Sequence, residues 1–279
     1  MITTEGSLHI KRFLTGSVGT IAQSIALGVG TAAESAGSTA LDFEVVRADI
    51  HLVSYDFTLN KLVFKATLPE DFIGTVYEAG LWSQSANTLA HDYGSRLLVS
   101  FEDYEGWNAT LSPAATNAGR FGEDVLVHTP AASATVTAIL SDQVLDLSGN
   151  SAADSFSFAY NVGNANTAGI TIRFYTDDAN YYGFNLGAQT AGYKVTKMTK
   201  GIAQVTGVPN WGNITQVRVI TTSTAGGASN VSYDAIRIED VDTVNPEYVL
   251  VARDLLATPY SKTESTPQDI EFTLGVTVT

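Results

Sequence analysis

The 279-residue sequence contains no cysteine, which excludes disulfide bonds and thiolate metal sites. Basic residues are also scarce: 15 lysines and arginines stand against 29 aspartates and glutamates, a formal net charge of −14 at pH 7. A surface this acidic repels the phosphate backbone of nucleic acids. We therefore expect no nucleic-acid partner.

Long apolar runs are missing as well. The longest are far shorter than the roughly 20 residues that a helix needs to cross a bilayer. The first residues, Met1–Gly6, carry neither the basic region nor the apolar core of a signal peptide. We expect a soluble protein that is made in a cytoplasm and inserted in no membrane.

Threonine, valine, alanine, glycine and aromatic residues dominate the sequence, which favours a mostly β fold. Alternating apolar and polar residues predict strands at Leu41–Arg47, Ile50–Phe57 and Lys61–Leu68, and a last strand at Ile270–Val278. About nine further strands are expected between them, one of them at Gln143–Leu147. Turn signals roughly every 8–12 residues are typical of a β-sandwich.

The segment Arg96–Ser100 has a near copy, Val249–Arg253, only after a long interval of different composition. The length of the chain allows about two domains of ordinary size. We therefore predict a discontinuous host domain, residues 1–96 plus 245–279, that folds as a small β-sandwich. A second β-sandwich domain, residues 97–244, is inserted into it.

The host segments carry a series of short motifs in a fixed order. They are Ile25-Ala26-Leu27-Gly28, Tyr77-Glu78-Ala79-Gly80-Leu81-Trp82, Arg253, Lys262 and Asp269-Ile270-Glu271-Phe272-Thr273-Leu274. The series resembles the attachment domains of tail-fibre and baseplate proteins of tailed phages. The resemblance implies a structural protein of the virion, assembled in the host cytoplasm. Its expected partners are other virion proteins and copies of itself, with a homotrimer favoured.

Four segments of the inserted interval resemble carbohydrate-binding jelly rolls of the galactose-binding-like kind. They are Ser100–Asp103 followed by Trp107, Asp177–Tyr182, Pro209–Thr215 and Tyr233–Ile238. The resemblance implies that the inserted domain is an exposed jelly roll that binds a host cell-surface glycan.

Aromatic and amide side chains suggest where such a glycan would bind. Flat aromatic rings match the apolar faces of pyranoses, and carboxylates and amides bind sugar hydroxyl groups. The predicted ligand-binding residues are Tyr181, Tyr182, Asp178, Asn180 and Trp211. The alternative is that these aromatic side chains fill the core of the sandwich.

One structural calcium ion is the only cofactor that we expect. Strand alternation places Asp234 on the side of Ile236 and Ile238, where an ionised carboxylate needs a partner. The family resemblance implies a calcium ion that Asp234 shares with Glu102 or Asp103, because calcium prefers oxygen ligands. Alternatively, Asp234 is satisfied by backbone N–H groups or by the side chain of Arg237 or Arg120.

Catalytic motifs are not found. The four histidines have no metal-ligand spacing, and no nucleophile elbow, phosphate loop or His-Glu-x-x-His motif occurs. We therefore expect a protein that is not an enzyme. Two alternatives remain: a capsid or collar decoration protein with a non-binding jelly roll, and a polysaccharide-degrading tail enzyme that uses Glu102, Asp103 and Glu105.

Overall fold

The computed structural model describes residues 1–84, 96–239 and 249–275. In these ranges the chain is mostly β and consists of antiparallel sheets of the β-sandwich class, which confirms the predicted fold class. The described residues form two compact units: residues 1–84 with 249–275 are the first unit, and residues 96–239 are the second. No helix in the described ranges is long and apolar enough to cross a membrane.

The first unit combines one helix with a six-stranded sheet. Its elements are α1 (Thr4–Leu14), β1 (Ser24–Gly28), β2 (Glu44–Asp56), β3 (Lys61–Leu68), β4 (Gly74–Trp82), β16 (Leu250–Lys262) and β17 (Gln268–Gly275). The strands are hydrogen-bonded in the order β16-β4-β1-β2-β3-β17. The two strands from the end of the chain thus form the two edges of a sheet whose centre comes from the beginning.

The second unit contains the remaining strands and three short 3-10 turns. The strands are β5 (Arg96–Val99), β6 (Leu111–Pro113), β7 (Asp124–His128), β8 (Thr135–Leu140), β9 (Ser155–Val162), β10 (Thr167–Asp177), β11 (Asn180–Gln189), β12 (Gly192–Thr199), β13 (Gln204–Thr206), β14 (Gln216–Ser223) and β15 (Val231–Glu239). We call β13-β11-β10-β14-β8 the front sheet. The back sheet is β12-β9-β15-β7-β6, with β5 also paired to β15.

The front and back sheets pack face to face through one aromatic core. Phe156 of the back sheet lies 4.9 Å from Phe174 and 4.8 Å from Phe184 of the front sheet, measured between ring centroids. Side chains of this kind bury large apolar areas and dominate the energy of a core. The second unit therefore has a hydrophobic core of its own.

The chain enters and leaves each unit at neighbouring positions. In the first unit Trp82, the last residue of β4, is paired with Leu250, the first residue of β16. In the second unit Arg96, the first residue of β5, is paired with Ile238 near the end of β15. The predicted domain boundary after residue 96 is therefore misplaced, because Arg96 belongs to a ladder of the second unit. The other predicted boundary, between residues 244 and 245, lies outside the described residues.

Three local predictions differ from the structure. The helix α1 was not predicted, although Thr3 caps it by accepting a hydrogen bond from Gly6 N at 2.8 Å. The two strands expected around residues 41–57 form one continuous strand, β2. Gln143–Leu147 forms no strand and contributes only an isolated bridge between Leu145 and Ile214. The last strand ends at Gly275 in the described part of the chain, and residues 276–278 of the prediction lie outside it.

Candidate functional site

The motif residues of the first unit bind one another. The carboxylate of Glu78 is fully buried and accepts hydrogen bonds from Phe43 N at 2.8 Å and Asp42 N at 2.9 Å. Arg253 Nε donates to the same carboxylate at 3.0 Å. Burial raises the pKa of Glu78, while the two backbone N–H groups and Arg253 lower it. This ion pair joins β4, β16 and the segment before β2, which is a structural role.

The same carboxylate explains Gly28 of the motif series and the nearby Gly30. A Cβ atom on Gly28 would lie 2.5 Å from Glu78 Oε1, and one on Gly30 would lie 2.6 Å from it. Side-chain atoms never approach so closely, so only glycine fits at either position. The glycine pair makes room for the buried acid.

Lys262 is the third charged residue of the series, and its side chain is also buried. Its ammonium group donates to the carbonyl oxygens of Phe72 at 2.8 Å, Glu264 at 2.7 Å and Glu70 at 3.1 Å. Three acceptors match the three donors of a lysine. The motifs of the first unit therefore build its scaffold, and the candidate binding site has to be sought in the second unit.

The outer face of the front sheet presents a compact group of aromatic and guanidinium side chains. Cross-strand pairing aligns Tyr181 with Tyr175, and Arg173 with Arg218. Residues spaced two apart on a strand share a face. These four side chains therefore lie together on the face that points away from the aromatic core. We call them the arginine–tyrosine row.

The row is held by stacking. The guanidinium of Arg173 lies 4.6 Å from the ring centroid of Tyr181, and the ring centroids of Tyr181 and Tyr175 are 4.7 Å apart. The guanidinium of Arg218 lies 4.0 Å from the ring of Tyr175. Tyr175 is 3% exposed between its neighbours, whereas Tyr181 is half-buried.

The two arginines of the row have different partners. Arg218 forms an ion pair with Asp178 at 2.5 Å and donates a further hydrogen bond to Gln216 Oε1. Arg173 Nη1 donates to the hydroxyl of Tyr175 at 3.3 Å. Its Nε is buried and has no acceptor among the described residues.

Gly183 lies directly across from Arg173 on β11 and leaves a shallow space beside the row. A Cβ atom at this position would be 3.7 Å from Arg173 Cγ and 3.7 Å from Tyr181 Cε2, an ordinary contact. The glycine thus leaves open a methyl-sized space between the two side chains. Exposed Gln204 and Asn185 flank it on neighbouring strand positions.

The structure places the predicted ligand-binding residues in different surroundings. Tyr181 lies in the row, and Asp178 joins it through Arg218. Tyr182 and Trp211 instead stack on each other, with ring centroids 3.8 Å apart, and pack against the core. The hydroxyl of Tyr182 donates to Pro209 O at 2.9 Å.

Asn180 has a local structural role. Its amide donates to both carboxylate oxygens of Asp177 at 2.8 Å, and its oxygen accepts from Val208 N at 2.6 Å. These bonds close the turn between β10 and β11. Of the five predicted ligand-binding residues, Tyr181 is the one that lies in the row, whereas Arg173 and Arg218 were not singled out from the sequence. The alternation of Thr171, Arg173 and Tyr175 along β10 was the signal for the first of them.

The position predicted for Asp234 is wrong. A β-bulge between Tyr233 and Ala235 shifts the register of β15, so Tyr233, Ile236 and Ile238 all point into the core. Asp234 consequently lies on the outer face of the back sheet, where it is 1% exposed. A bulge of this kind places two residues opposite one and redirects the side chains that follow.

Donors surround the carboxylate of Asp234. It accepts hydrogen bonds from Arg120 N at 3.1 Å, from Phe121 N at 3.1 Å and from the hydroxyl of Tyr193. Burial raises its pKa to about 6, and these bonds act in the opposite direction. This is the arrangement of the backbone alternative considered above, in which N–H groups take the place of a cation.

The other two predicted calcium ligands lie near an open cleft. Glu102 accepts from Glu123 N at 3.0 Å, and burial raises its pKa to about 7. Asp103, Trp107 and Asp124 line the cleft, whose volume is about 600 Å³. Within the described ranges, no three acidic or histidine side chains are grouped so that they could hold a metal ion. The calcium ion stays a prediction.

Comparison with known proteins adds little to this geometry. No protein-family model matches the sequence, and no curated protein matches it. A solved structure described as "Structure of PfGH50B" is similar to 55% of this chain, at 13% sequence identity and a TM-score of 0.32. The similar part is 23% of that protein, so the chain spans less than a quarter of its length.

Proposed function

We propose that the chain is a structural protein of a tailed-virus particle whose second unit binds a surface glycan. The arginine–tyrosine row is the observation that supports glycan binding. The motif series of the first unit supports attachment to the tail or baseplate, through its resemblance to attachment domains. In this proposal the protein catalyses no reaction.

The row has the chemistry of a sugar-binding surface. The half-buried ring of Tyr181 offers the uncovered part of a flat apolar surface to the C–H groups of a pyranose, and guanidinium, amide and carboxylate groups beside it bind hydroxyl groups. Contacts with Arg173 and Tyr175 hold the ring of Tyr181 in place, so little side-chain entropy is lost on binding. A rigid, shallow surface of this kind suits an extended polysaccharide.

Attachment and oligomerisation are assigned to the first unit. The end of the hairpin formed by β2 and β3 exposes five large apolar side chains: Leu52, Val53, Tyr55, Phe57 and Leu59. Apolar patches of this type mark interaction surfaces. We assign the hairpin end to contacts between copies of the chain, with a trimer favoured, because several copies turn weak glycan contacts into useful avidity.

Glycan binding is tested with the intact protein on a panel of bacterial and archaeal surface polysaccharides. We expect Tyr181→Ala to weaken binding about tenfold, or about 1.4 kcal/mol. Tyr104→Ala is the matched control, because Tyr104 is 83% exposed and lies in a 3-10 turn outside the row. Equal binding by wild type and Tyr181→Ala contradicts the proposed surface.

Location is tested separately, by labelling the chain on assembled particles: tail density supports attachment, and head density favours the decoration alternative.

The cleft beside Glu102 favours one second candidate, cleavage of a polysaccharide. A carboxyl group with a pKa of about 7 is about half protonated at pH 7, so a large fraction of it can act as a general acid. Asp103 and Asp124 would supply the second carboxylate of a glycosidase pair. The release of reducing ends from host polysaccharide, lost in Glu102→Gln, would favour this candidate over a binding protein.

A further inference from the structure

The arginine–tyrosine row contains one guanidinium that is neutralised and one that is not. Asp178 pairs with Arg218 at 2.5 Å. Arg173 has no carboxylate partner in the described ranges, and its only hydrogen bond uses Nη1. The two side chains are directly paired across β10 and β14, so they share one surface and one solvent environment.

A guanidinium binds a carboxylate best through two parallel N–H donors. In Arg173 the Nη1 side is occupied by the hydroxyl of Tyr175, and the side formed by Nε and Nη2 has no acceptor. Nε is buried beyond the reach of a ligand, so Nη2 is the donor of Arg173 that remains for one. The chain has a net charge of −14, so a guanidinium without a carboxylate partner places a positive charge on a mostly acidic protein.

We propose that Nη2 of Arg173 binds the carboxylate of an acidic sugar, a hexuronate residue of the glycan. This inference rests on the proposed function, because it names the chemical class of ligand for the same surface. The pyranose ring of the hexuronate lies on Tyr181, and its carboxylate reaches Arg173 over the space that Gly183 leaves open. Exposed Gln204 and Asn185 are placed to bind the ring hydroxyls.

The test compares each acidic sugar with its own neutral form. Oligomers of galacturonate, mannuronate and glucuronate are titrated into the intact protein by calorimetry at low salt, each beside its methyl ester. Esterification removes the charge and keeps the ring, and it requires no variant. We expect at least one free acid to bind about tenfold or more tightly than its ester, and its affinity to fall as salt is added.

Variants then assign the effect to one side chain. Arg173→Gln is expected to remove the preference for the free acid, and Arg173→Lys to retain only part of it, because lysine keeps the charge and loses the planar guanidinium that packs on Tyr181. Arg96→Gln is the matched control and is expected to change the preference less than threefold, since Arg96 is exposed on β5 and lies outside the row. Circular dichroism confirms that each variant is folded.

The outcomes separate this inference from the proposed function. Equal binding of acids and esters, with Tyr181→Ala still weakening both, overturns the hexuronate and leaves glycan binding in place. Binding of a sulfated galactan that depends on Arg173, without binding of any uronate, overturns the carboxylate assignment in favour of a sulfate ester. If no polysaccharide of either panel binds, both the inference and the glycan-binding function are overturned.

Discussion

Buried charges determine how strongly the substitution of an individual residue affects stability. Arg253 is 3% exposed and is the only described side-chain cation within reach of Glu78, which is fully buried. An ion pair in such a place gains little over an apolar pair, but the loss of one partner leaves an uncompensated charge. Glu78 and Arg253 must therefore be regarded as one unit.

We expect Arg253→Met to destabilise the first unit by about 3–5 kcal/mol, because Glu78 is left buried without its cation. Urea unfolding monitored by tryptophan fluorescence measures the effect. Lys65→Met is the control, since Lys65 pairs with Glu271 at 2.5 Å on the surface, where screening by solvent makes the pair weak. Similar losses in both variants would contradict a special role for the buried pair.

His128 gives the second unit a pH dependence. Burial lowers the pKa of His128 to about 4, while its ordinary value is 6.5. Nδ1 is hydrogen-bonded to Thr221 Oγ1 at 2.8 Å, and the ring packs edge-on against Tyr233. Between pH 6.5 and 4 the unfolded chain binds a proton that the folded chain does not. The contribution of His128 to the free energy of unfolding therefore falls as the pH falls through this window.

Asp234 and Glu102 act in the opposite direction. Their pKa values are raised to about 6 and about 7, so the folded state binds their protons first and gains stability as the pH falls. We expect the difference in unfolding free energy between wild type and His128→Asn to decrease by about 3 kcal/mol between pH 7 and 4. Guanidinium unfolding at several pH values measures it, with exposed His51→Asn as control. Parallel curves for wild type and His128→Asn would show that His128 does not titrate in this range.

At the scale of elements, the hairpin of β2 and β3 is the most exposed apolar part of the first unit. Residues 50–56 of β2 pair with β3, whereas β1 pairs with β2 only over residues 44–49. The far half of β2 thus has a free edge among the described strands, next to Tyr55 and to Phe57, which is 89% exposed. Free apolar edges readily pair with another chain.

We expect the double variant Phe57→Ser, Leu59→Ser to lower the oligomeric state while the fold is retained, because both side chains lie at the hairpin end and contribute no core. Sedimentation velocity measures the mass distribution. Val144→Ser is the control, since Val144 is 93% exposed in the second unit. An unchanged oligomer in the double variant, or a wild type that is strictly monomeric, would contradict the assignment.

Alternation along the strands predicted most elements of the second unit, because both sheets bury one face. In the first unit, the predicted strand Lys61–Leu68 was located to the residue. The same rule failed at Asp234, since one extra residue in a strand reverses the face of those that follow it. It also missed α1, which is short and lies on β16, with Gly6 within contact of the Val251 backbone.

At the scale of the whole molecule, the chain passes from one unit to the other at positions where each unit can be cut out as a separate protein. Ser83 N donates to Val249 O at 2.9 Å, and Val249 N donates to Ser83 Oγ at 2.9 Å. The end of β4 and the start of β16 are thus already paired as in a hairpin. The paired ends of the second unit, Arg96 and Ile238, are adjacent in the same way.

We expect two shortened proteins to fold. In one, residues 85–248 are replaced by a four-residue hairpin turn, and in the other the chain consists of residues 96–239. Each retains its own sheet hydrogen bonds and core, so each should unfold cooperatively, with near-UV circular dichroism of packed aromatic side chains. The matched control joins residues 60 and 249, which deletes β3 and β4 and should not fold. Aggregation of both designed proteins would show that the units depend on each other.

The sequence alone determined the mostly β class, the acidic composition and the insertion of one compact segment into another. These features depend on composition and on periodicity, which are local properties of the chain. The arginine–tyrosine row, the partners of Glu78 and the side of the sheet on which Asp234 lies were decided only by the tertiary structure. Each depends on strand register, and register brings together residues whose distance along the chain contains no information about their distance in space.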